Sequence, residues 1–285
     1  MVDFGFREAS ICWRITRRCN YSCDICLAGD ELKYPGEIST QQALQFIYLL
    51  RRNGFKRISI TGGEPLLRED LRLLIDACVK EGFKVLLATN GSYLNDRWLS
   101  FFSNIPNSSL TVRVSIHSSE EGPRCSVAAL PFGFDIEKLR ALIGMGISTG
   151  VSYAACRRNH NNIDEILSGF EHLGLSHFMI QFLLLREKAK DKTYLALSLY
   201  EKQQVINNIR HWITTHKPCF HVMYNDHSID RECYLVIESN GVLVVANDKG
   251  NEDLDLGPLS DISLKIFRNS LRKATNGVAV QDLNI

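Results

Sequence analysis

The chain has 285 residues, 45% of them hydrophobic and 23% charged, with a formal net charge of +1 at neutral pH. That length buries a substantial core and suits one catalytic unit plus an appendage, while the balanced charge argues against the basic footprint that nucleic acid requires. No secretory signal opens the chain and no apolar run reaches membrane-spanning length, so a cytoplasmic protein is expected. In that reducing compartment the nine cysteines serve as metal ligands, catalytic thiols or small buried hydrophobes rather than as disulfides.

The first element is a strand over the apolar run Ile11 to Ile15, which delivers the chain to Cys19, Cys23 and Cys26 in a C-x3-C-x2-C spacing. Three thiolates this close supply a metal site and leave a fourth coordination position open. On spacing alone, a structural zinc completed by a distant His or Cys, or unpaired core thiols, remain alternatives. Ser39 caps an amphipathic helix from Thr40 to Arg52. A second strand, Arg57 to Thr61, runs into Gly62-Gly63-Glu64-Pro65. There the paired glycines let the backbone approach a bound group, and Glu64 can accept from an ammonium. A helix from Glu69 to Glu81 and a strand from Lys84 to Ala88 lead to the turn Thr89-Asn90-Gly91. A helix from Asn95 to Ser103 precedes a strand beginning near Leu110, which ends in Ser115-Ile116-His117. Helices over Ile136 to Met145 and Ile163 to Leu173 flank a fifth strand that begins at Ser148 and ends at Cys156. A sixth strand begins at His177 and carries Gln181. In each helix apolar residues recur at three- and four-residue intervals, and Gly54, Gly82, Gly146 and Gly174 fall just past helix ends.

Every motif in this run sits immediately after a short apolar, β-branched stretch. Alternating strand and helix predicts an α/β fold, a β/α barrel or a doubly wound sheet, in which site residues gather at the carboxyl ends of parallel strands. The cysteine loop, the Gly-Gly-Glu-Pro segment, the Thr-Asn-Gly turn and Ser115 are therefore expected on one rim.

Taken in order, C-N-Y-S-C-D-I-C, G-G-E-P, T-N-G and S-I-H resemble the signature of the radical S-adenosylmethionine (radical SAM) superfamily, with His117 standing where relatives most often carry Asp. The resemblance implies an incomplete (β/α)6 TIM-like barrel over residues 8–185. It implies one 4Fe–4S cluster held by Cys19, Cys23 and Cys26, whose open iron takes the amino and carboxylate groups of SAM. Gly62, Gly63, Glu64 and Pro65 would flank the methionyl end, and Thr89, Asn90 and Ser115 would hydrogen-bond its carboxylate or the ribose. Ile25 would lie against the adenine in place of the usual aromatic. Gln181 would reach adenine or substrate, or be an ordinary barrel polar group. His117 would be a general acid or base, or a structural hydrogen-bonding residue. A reductant such as flavodoxin or ferredoxin would feed the cluster, releasing a 5′-deoxyadenosyl radical that takes a substrate hydrogen.

From Arg186 the repeat stops. A charged segment, Arg186 to Lys192, leads to a helix from Ser198 to Thr215 and then to a hairpin, Cys233 to Glu238 and Val242 to Ala246, turning at Asn240-Gly241. A terminal helix closes this second unit, residues 186–285. It resembles the C-terminal extension of SPASM or twitch-type radical SAM proteins, but Ala246 stands where a cluster cysteine is expected and only Cys219 and Cys233 lie within it. A second cluster wants about four thiolates, so the extension is expected to close the barrel and shape a pocket without one. Redox-neutral or reductively quenched chemistry follows: epimerisation, elimination, rearrangement or C–C formation. The candidate hydrogen donors are Cys125, Cys156, Cys233, Tyr153 and Tyr224, because S–H and phenolic O–H bonds are weaker than ordinary C–H bonds. Cys12 and Cys78 are expected in the core. The basic pairs Arg17-Arg18, Arg51-Arg52 and Arg157-Arg158 are expected as solvated faces or local substrate contacts. About ten residues precede the first strand and offer no leader-binding module, which favours a small sugar, cyclitol or nucleoside substrate over a ribosomal peptide. A catalytically silent cluster scaffold and a tRNA-modifying enzyme are the remaining readings; the intact motifs oppose the first and the charge the second.

Overall fold

A computed structural model describes residues 10–23, 25–27, 34–116, 136–225, 234–246 and 253–265. Seven parallel strands run in chain order: β1 (Ser10–Thr16), β2 (Arg57–Gly62), β3 (Lys84–Thr89), β4 (Leu110–Ile116), β5 (Ser148–Ala155), β6 (His177–Phe182) and β7 (His221–Asn225). The helices between them are α1 (Thr40–Arg52), α2 (Leu71–Lys80), α3 (Asp96–Phe102), α4 (Ile136–Gly144), α5 (Ile163–Phe170) and α6 (Leu199–His216). The six expected strands are all present. The seventh, His221–Asn225, was not expected: it is an edge strand with exposed His221 and Tyr224 and no strongly apolar run.

The hairpin does not stand apart. Its strands β8 (Tyr234–Ile237) and β9 (Val242–Ala246) extend the same sheet, β8 pairing parallel to β1, and β10 (Leu254–Pro258) adds antiparallel to β9. The order is β10-β9-β8-β1-β2-β3-β4-β5-β6-β7, an open ten-stranded sheet. Its turn also differs from the two-residue form expected. Glu238 N–H donates to Val242 O at 2.8 Å and Gly241 N–H to Glu238 O at 2.9 Å. This leaves a three-residue loop in which Gly241 alone takes a left-handed φ of 85°, as three-residue hairpin loops do.

Strand alternation decides what each face touches. Ile11, Trp13, Ile15, Ile58, Ile60, Val85, Leu87, Val112, Val114, Val151, Phe178 and Ile180 bury one face against the helices in a single core. The opposite face carries Arg14, Thr61, Arg113, Ser115, Ser152, His177 and Gln181 by the two-residue period. This face is folded inward. Arg186, just past β6, pairs with Asp253, just before β10, although eight inter-strand steps separate those strands in the sheet. Laid flat, those steps would span about 38 Å, so contact requires the sheet to curl into an incomplete barrel with the polar face as its lumen. Among the described residues no helix is long and apolar enough to cross a membrane.

Candidate active site

The cysteine loop leaves β1 at Thr16, and Gly62 at the end of β2 and Gly63 just after it hold its stem. Gly63 N–H donates to Thr16 O at 2.8 Å and Glu64 N–H to Arg18 O at 2.8 Å. A Cβ on Gly62, whose φ is 151°, would stand 2.2 Å from Thr16 O, and one on Gly63 would stand 2.2 Å from Arg18 O. The close approach that the glycines permit is thus to the backbone carrying the cysteines. Of the three thiols, Cys19 is exposed and Cys23 and Cys26 are partly buried.

The other end of the loop is tied to the C-terminal hairpin. Arg14 of β1 donates from Nη1 to Glu238 Oε1 at 2.7 Å and from Nη2 to Leu27 O at 3.2 Å. Arg17 Nη2 donates to Glu238 Oε2 at 2.5 Å, and its guanidinium lies over the Tyr34 ring at 5.2 Å. Ile38 N–H donates to Ser239 O at 2.9 Å, and Ser239 Oγ to Tyr34 O at 3.3 Å. Glu238 is 1% exposed. Arg17 is therefore no solvated face: it is buried because its charge is spent on Glu238. Arg52 does pair at the surface, with Asp261, as Arg157 does with Glu201 at 3.1 Å.

Glu64 is fully buried. Its Oε1 accepts from Leu66 N–H at 3.0 Å and Thr89 Oγ1 at 2.7 Å, and its Oε2 from Asn90 N–H at 2.7 Å. Burial pushes its pKa up, opposed by those three donors. The carboxylate that sequence offers to a ligand ammonium also serves as a strut joining the ends of β2 and β3. It fixes Asn90, whose Nδ2 donates to Asn20 Oδ1 at 3.0 Å and lies 4.0 Å from Cys19 Sγ. Asn20 in turn donates to Ser92 Oγ at 3.0 Å. Cys19 Sγ accepts from Tyr21 N–H at 3.4 Å. Burial holds the Cys19 thiol above its usual range, with the backbone donor opposing, so a bound metal must supply the drive to deprotonate it. The three thiols share one loop, with a backbone N–H and a carboxamide facing the first, and are soft donors of the kind an iron–sulfur cluster takes; among the described residues no three His, Cys, Asp or Glu side chains are grouped as they would be around a single metal ion.

Ile25 packs with Cys156 and Leu195, beside Ala154 and Leu183, in an apolar group separate from the main core. Cys156 is 4% exposed, so its thiol forms part of that wall. Ser115 Oγ stands 3.2 Å from Ser152 Oγ across β4 and β5, and Gln181 lies on the same lumen face. Tyr153 and Tyr224 face away from it. Tyr153 OH donates to Asn159 O at 3.1 Å beneath the helices, and Tyr224 meets Arg210 of α6 at 3.4 Å. Cys78 is in the core as expected, while Cys12 lies on the lumen side against Val236, Val244 and Ala246. His117, Cys125 and Cys233 lie outside the described residues. Sequence reasoning missed Asn20, Arg14 and Glu238; Asn20 sits between the first two cysteines, but the Arg14–Glu238 pair spans 224 positions and leaves no local signal.

The Radical SAM superfamily model matches residues 13–152. An AdoMet-dependent heme synthase from Nitratidesulfovibrio vulgaris is 25% identical over 202 residues, 69% of this chain and 54% of that protein. The mycofactocin maturase MftC of Mycobacterium ulcerans is 27% identical over 171 residues, 59% of this chain and 46% of that protein. The chain thus spans about half the length of the curated relatives it matches. Among solved structures, Streptococcus suis SuiB bound to precursor peptide SuiA superposes with a TM-score of 0.68 at 15% identity, covering 91% of this chain and 66% of that one. At that identity the likeness is one of fold.

Proposed function

This chain carries a radical SAM domain, in a superfamily whose enzymes work with a 4Fe–4S cluster and SAM, and from that premise we propose that it abstracts a hydrogen atom from a substrate held in the barrel lumen. The observation that carries this reading is the hydrogen-bonded path from Glu64 through Asn90 to Asn20 and Cys19, which locks three separate motifs into one rim. With cluster and SAM bound, the chemistry supplied is one-electron cleavage of the sulfonium and hydrogen abstraction by the 5′-deoxyadenosyl group. Cys19, Cys23 and Cys26 would hold the cluster. Gly62 to Pro65 would define the floor beneath the methionyl end, Thr89, Asn90 and Ser115 would hydrogen-bond the cofactor, and the apolar wall of Ile25, Cys156 and Leu195 would receive the adenine. The protein's part is to position one C–H bond and exclude water. A flavodoxin or ferredoxin would be the reductant.

Residues 8–185 would form the catalytic unit and 186–285 an extension without a second cluster, so the chemistry would be redox-neutral or quenched by a hydrogen donor. The polar lumen suits a small, functionalised substrate of sugar, cyclitol or nucleoside type. A peptide substrate is the second reading, supported by the relation to mycofactocin maturase and by the peptide-bound fold neighbour. Anaerobic reconstitution tests the shared core: about four irons per chain, lost on replacing Cys19, Cys23 and Cys26 together, and 5′-deoxyadenosine formed from SAM with dithionite. Eight irons would overturn the single-cluster reading, and no 5′-deoxyadenosine with any reductant would overturn the catalytic one.

A further inference from the structure

Below the rim, the lumen holds a cation whose charge the described protein does not answer. On β4 the apolar residues Leu110, Val112, Val114 and Ile116 are buried against the helices, which turns Arg113 inward with Ser115. One residue pair separates the two, about 7 Å along the strand. Arg113 Nε is buried and has no hydrogen-bond partner. Among the described residues no carboxylate pairs with it, the lumen carboxylate of Glu238 being taken by Arg14 and Arg17.

Two described neighbours of Arg113, His177 and Cys12, are neutral. Strand register places Arg113, Gly150, His177 and His221 in one row across β4, β5, β6 and β7. A Cβ on Gly150 would stand 2.2 Å from His177 Cε1 and 2.3 Å from Nε2. Glycine there is what lets the imidazole lie across β5 toward Arg113. Ser176 Oγ donates to Thr149 O at 2.9 Å and meets His177 Nδ1 at 2.9 Å. With its own proton spent on the carbonyl, Ser176 accepts from Nδ1–H, which leaves Nε2 as an acceptor. Burial, with Arg113 adding to it, lowers the His177 pKa to about 4, so the ring is uncharged at neutral pH. Burial likewise raises the Cys12 thiol to about 11. A guanidinium remains charged in any protein environment, and a desolvated charge without a partner is unfavourable.

We propose that Arg113 anchors an anion subsite within the lumen, taking a carboxylate or phosphate group of the substrate through its guanidinium fork. This deepens the functional reading above and rests on it: the substrate enters with an acidic group directed away from the SAM rim. The Nε2 acceptor of His177 beside it accepts a hydroxyl or amine of the same ligand. Planar guanidinium recognition suits both anions, and separate acetate and phosphate titrations identify which one is preferred.

The test uses anaerobically reconstituted protein saturated with SAM, so that the carboxylate of SAM does not compete as an unrecognised ligand. Sodium acetate and inorganic phosphate are titrated against chloride at constant ionic strength, and thermal midpoints are compared for wild type, Arg113→Met and Arg113→Lys. The expected result is a midpoint that rises with ln(1 + [anion]/Kd) for wild type, a smaller rise for Arg113→Lys, and no anion-specific rise for Arg113→Met. Equal rises in wild type and Arg113→Met overturn the proposal. Should Arg113→Met not fold, the Nε–H resonance of Arg113 in 15N-arginine-labelled wild type, assigned by its loss in Arg113→Lys, must shift on adding acetate or phosphate. A resonance that moves with SAM alone and is then indifferent to both anions overturns the proposal as well. Neither readout needs turnover. A protein that shows the anion shift without cleaving SAM sinks the functional reading alone, and one that cleaves SAM without the shift sinks the subsite alone.

Discussion

Replacing Glu238 by Ala should loosen the cysteine loop from a distance of more than 200 positions along the chain. The carboxylate is 1% exposed and its two guanidinium partners, Arg14 and Arg17, are 14% and 5% exposed. Removing one member of a buried ion pair costs about 3–5 kcal/mol, chiefly because the remaining charge is stranded. Here two charges are stranded, but Arg14 keeps Leu27 O as an acceptor and some contact with water, so the single-pair range is kept. For a chain of this size that lowers the melting midpoint by roughly 6–20 °C. Glu238→Gln, which keeps one acceptor oxygen, should fall between wild type and Glu238→Ala. The loss should also be local: Arg14 bridges Glu238 to Leu27 O, next to Cys26, so iron bound after reconstitution should fall at temperatures where the fold persists. Differential scanning fluorimetry and iron content per chain measure the two effects. The double variant Glu238→Ala/Arg17→Met should recover part of the midpoint, because the stranded charge is the larger cost. A Glu238→Ala protein that melts within 2 °C of wild type by the same assay, or a double variant less stable than the single, would refute the reasoning.

Gly63→Ala drives a methyl group to 2.2 Å from Arg18 O, which only backbone movement relieves; iron occupancy should drop while helix content by circular dichroism holds. Glu64→Gln turns an acceptor of three donors into a group with one acceptor oxygen and an amino group facing N–H or O–H. A destabilisation of about 1–3 kcal/mol by urea titration is expected, together with weaker SAM binding by equilibrium dialysis because Asn90 is released. His177 has its pKa lowered to about 4 from 6.5, so between those values the unfolded chain binds more protons than the folded one. The stability this represents is present above pH 6.5 and is lost as pH falls toward 4. His177→Gln should flatten the slope of midpoint against pH in that window, and an unchanged slope would show that other groups set it.

Most of the segment up to residue 185 was legible in the sequence because its signals are local. Strand alternation, helix periodicity and the Ser39 cap are each decided within a dozen residues, and every motif follows its own strand. The alternation in Leu110 to Ile116 contained even the inward placement of Arg113. What stayed hidden was who answers that charge, since partners in the lumen come from strands far apart in sequence. Arg17 was misjudged for the same reason: an Arg-Arg pair reads as surface until Glu238 is brought to it. That Glu64 also braces β2 against β3 stayed hidden, because a carboxylate after two glycines carries no sign that Thr89, Asn90 and Leu66 will surround it. The hairpin's strands were evident, but their pairing with β1 was not, because parallel pairing between Cys12 and Val236 joins residues more than 200 positions apart.

That pairing gives the C-terminal segment a physical task that needs no metal of its own. Ala246, Val236 and Val244 make a closed apolar contact beside Cys12, while Glu238 and Ser239 turn their polar groups to both ends of the cysteine loop. Arg186 and Asp253 then link the segment to the far side of the lumen. The two contacts act at different places: the first sets the geometry of the thiols, and the second sets how far the β10 edge stands from β6. Loss of the Glu238 pair should therefore appear in iron binding, whereas loss of Arg186–Asp253 should leave iron bound and change access to the lumen. Arg186→Gln with unaltered iron but faster association of SAM by stopped-flow would separate the two; a parallel fall in iron would show that the segment acts as a single brace.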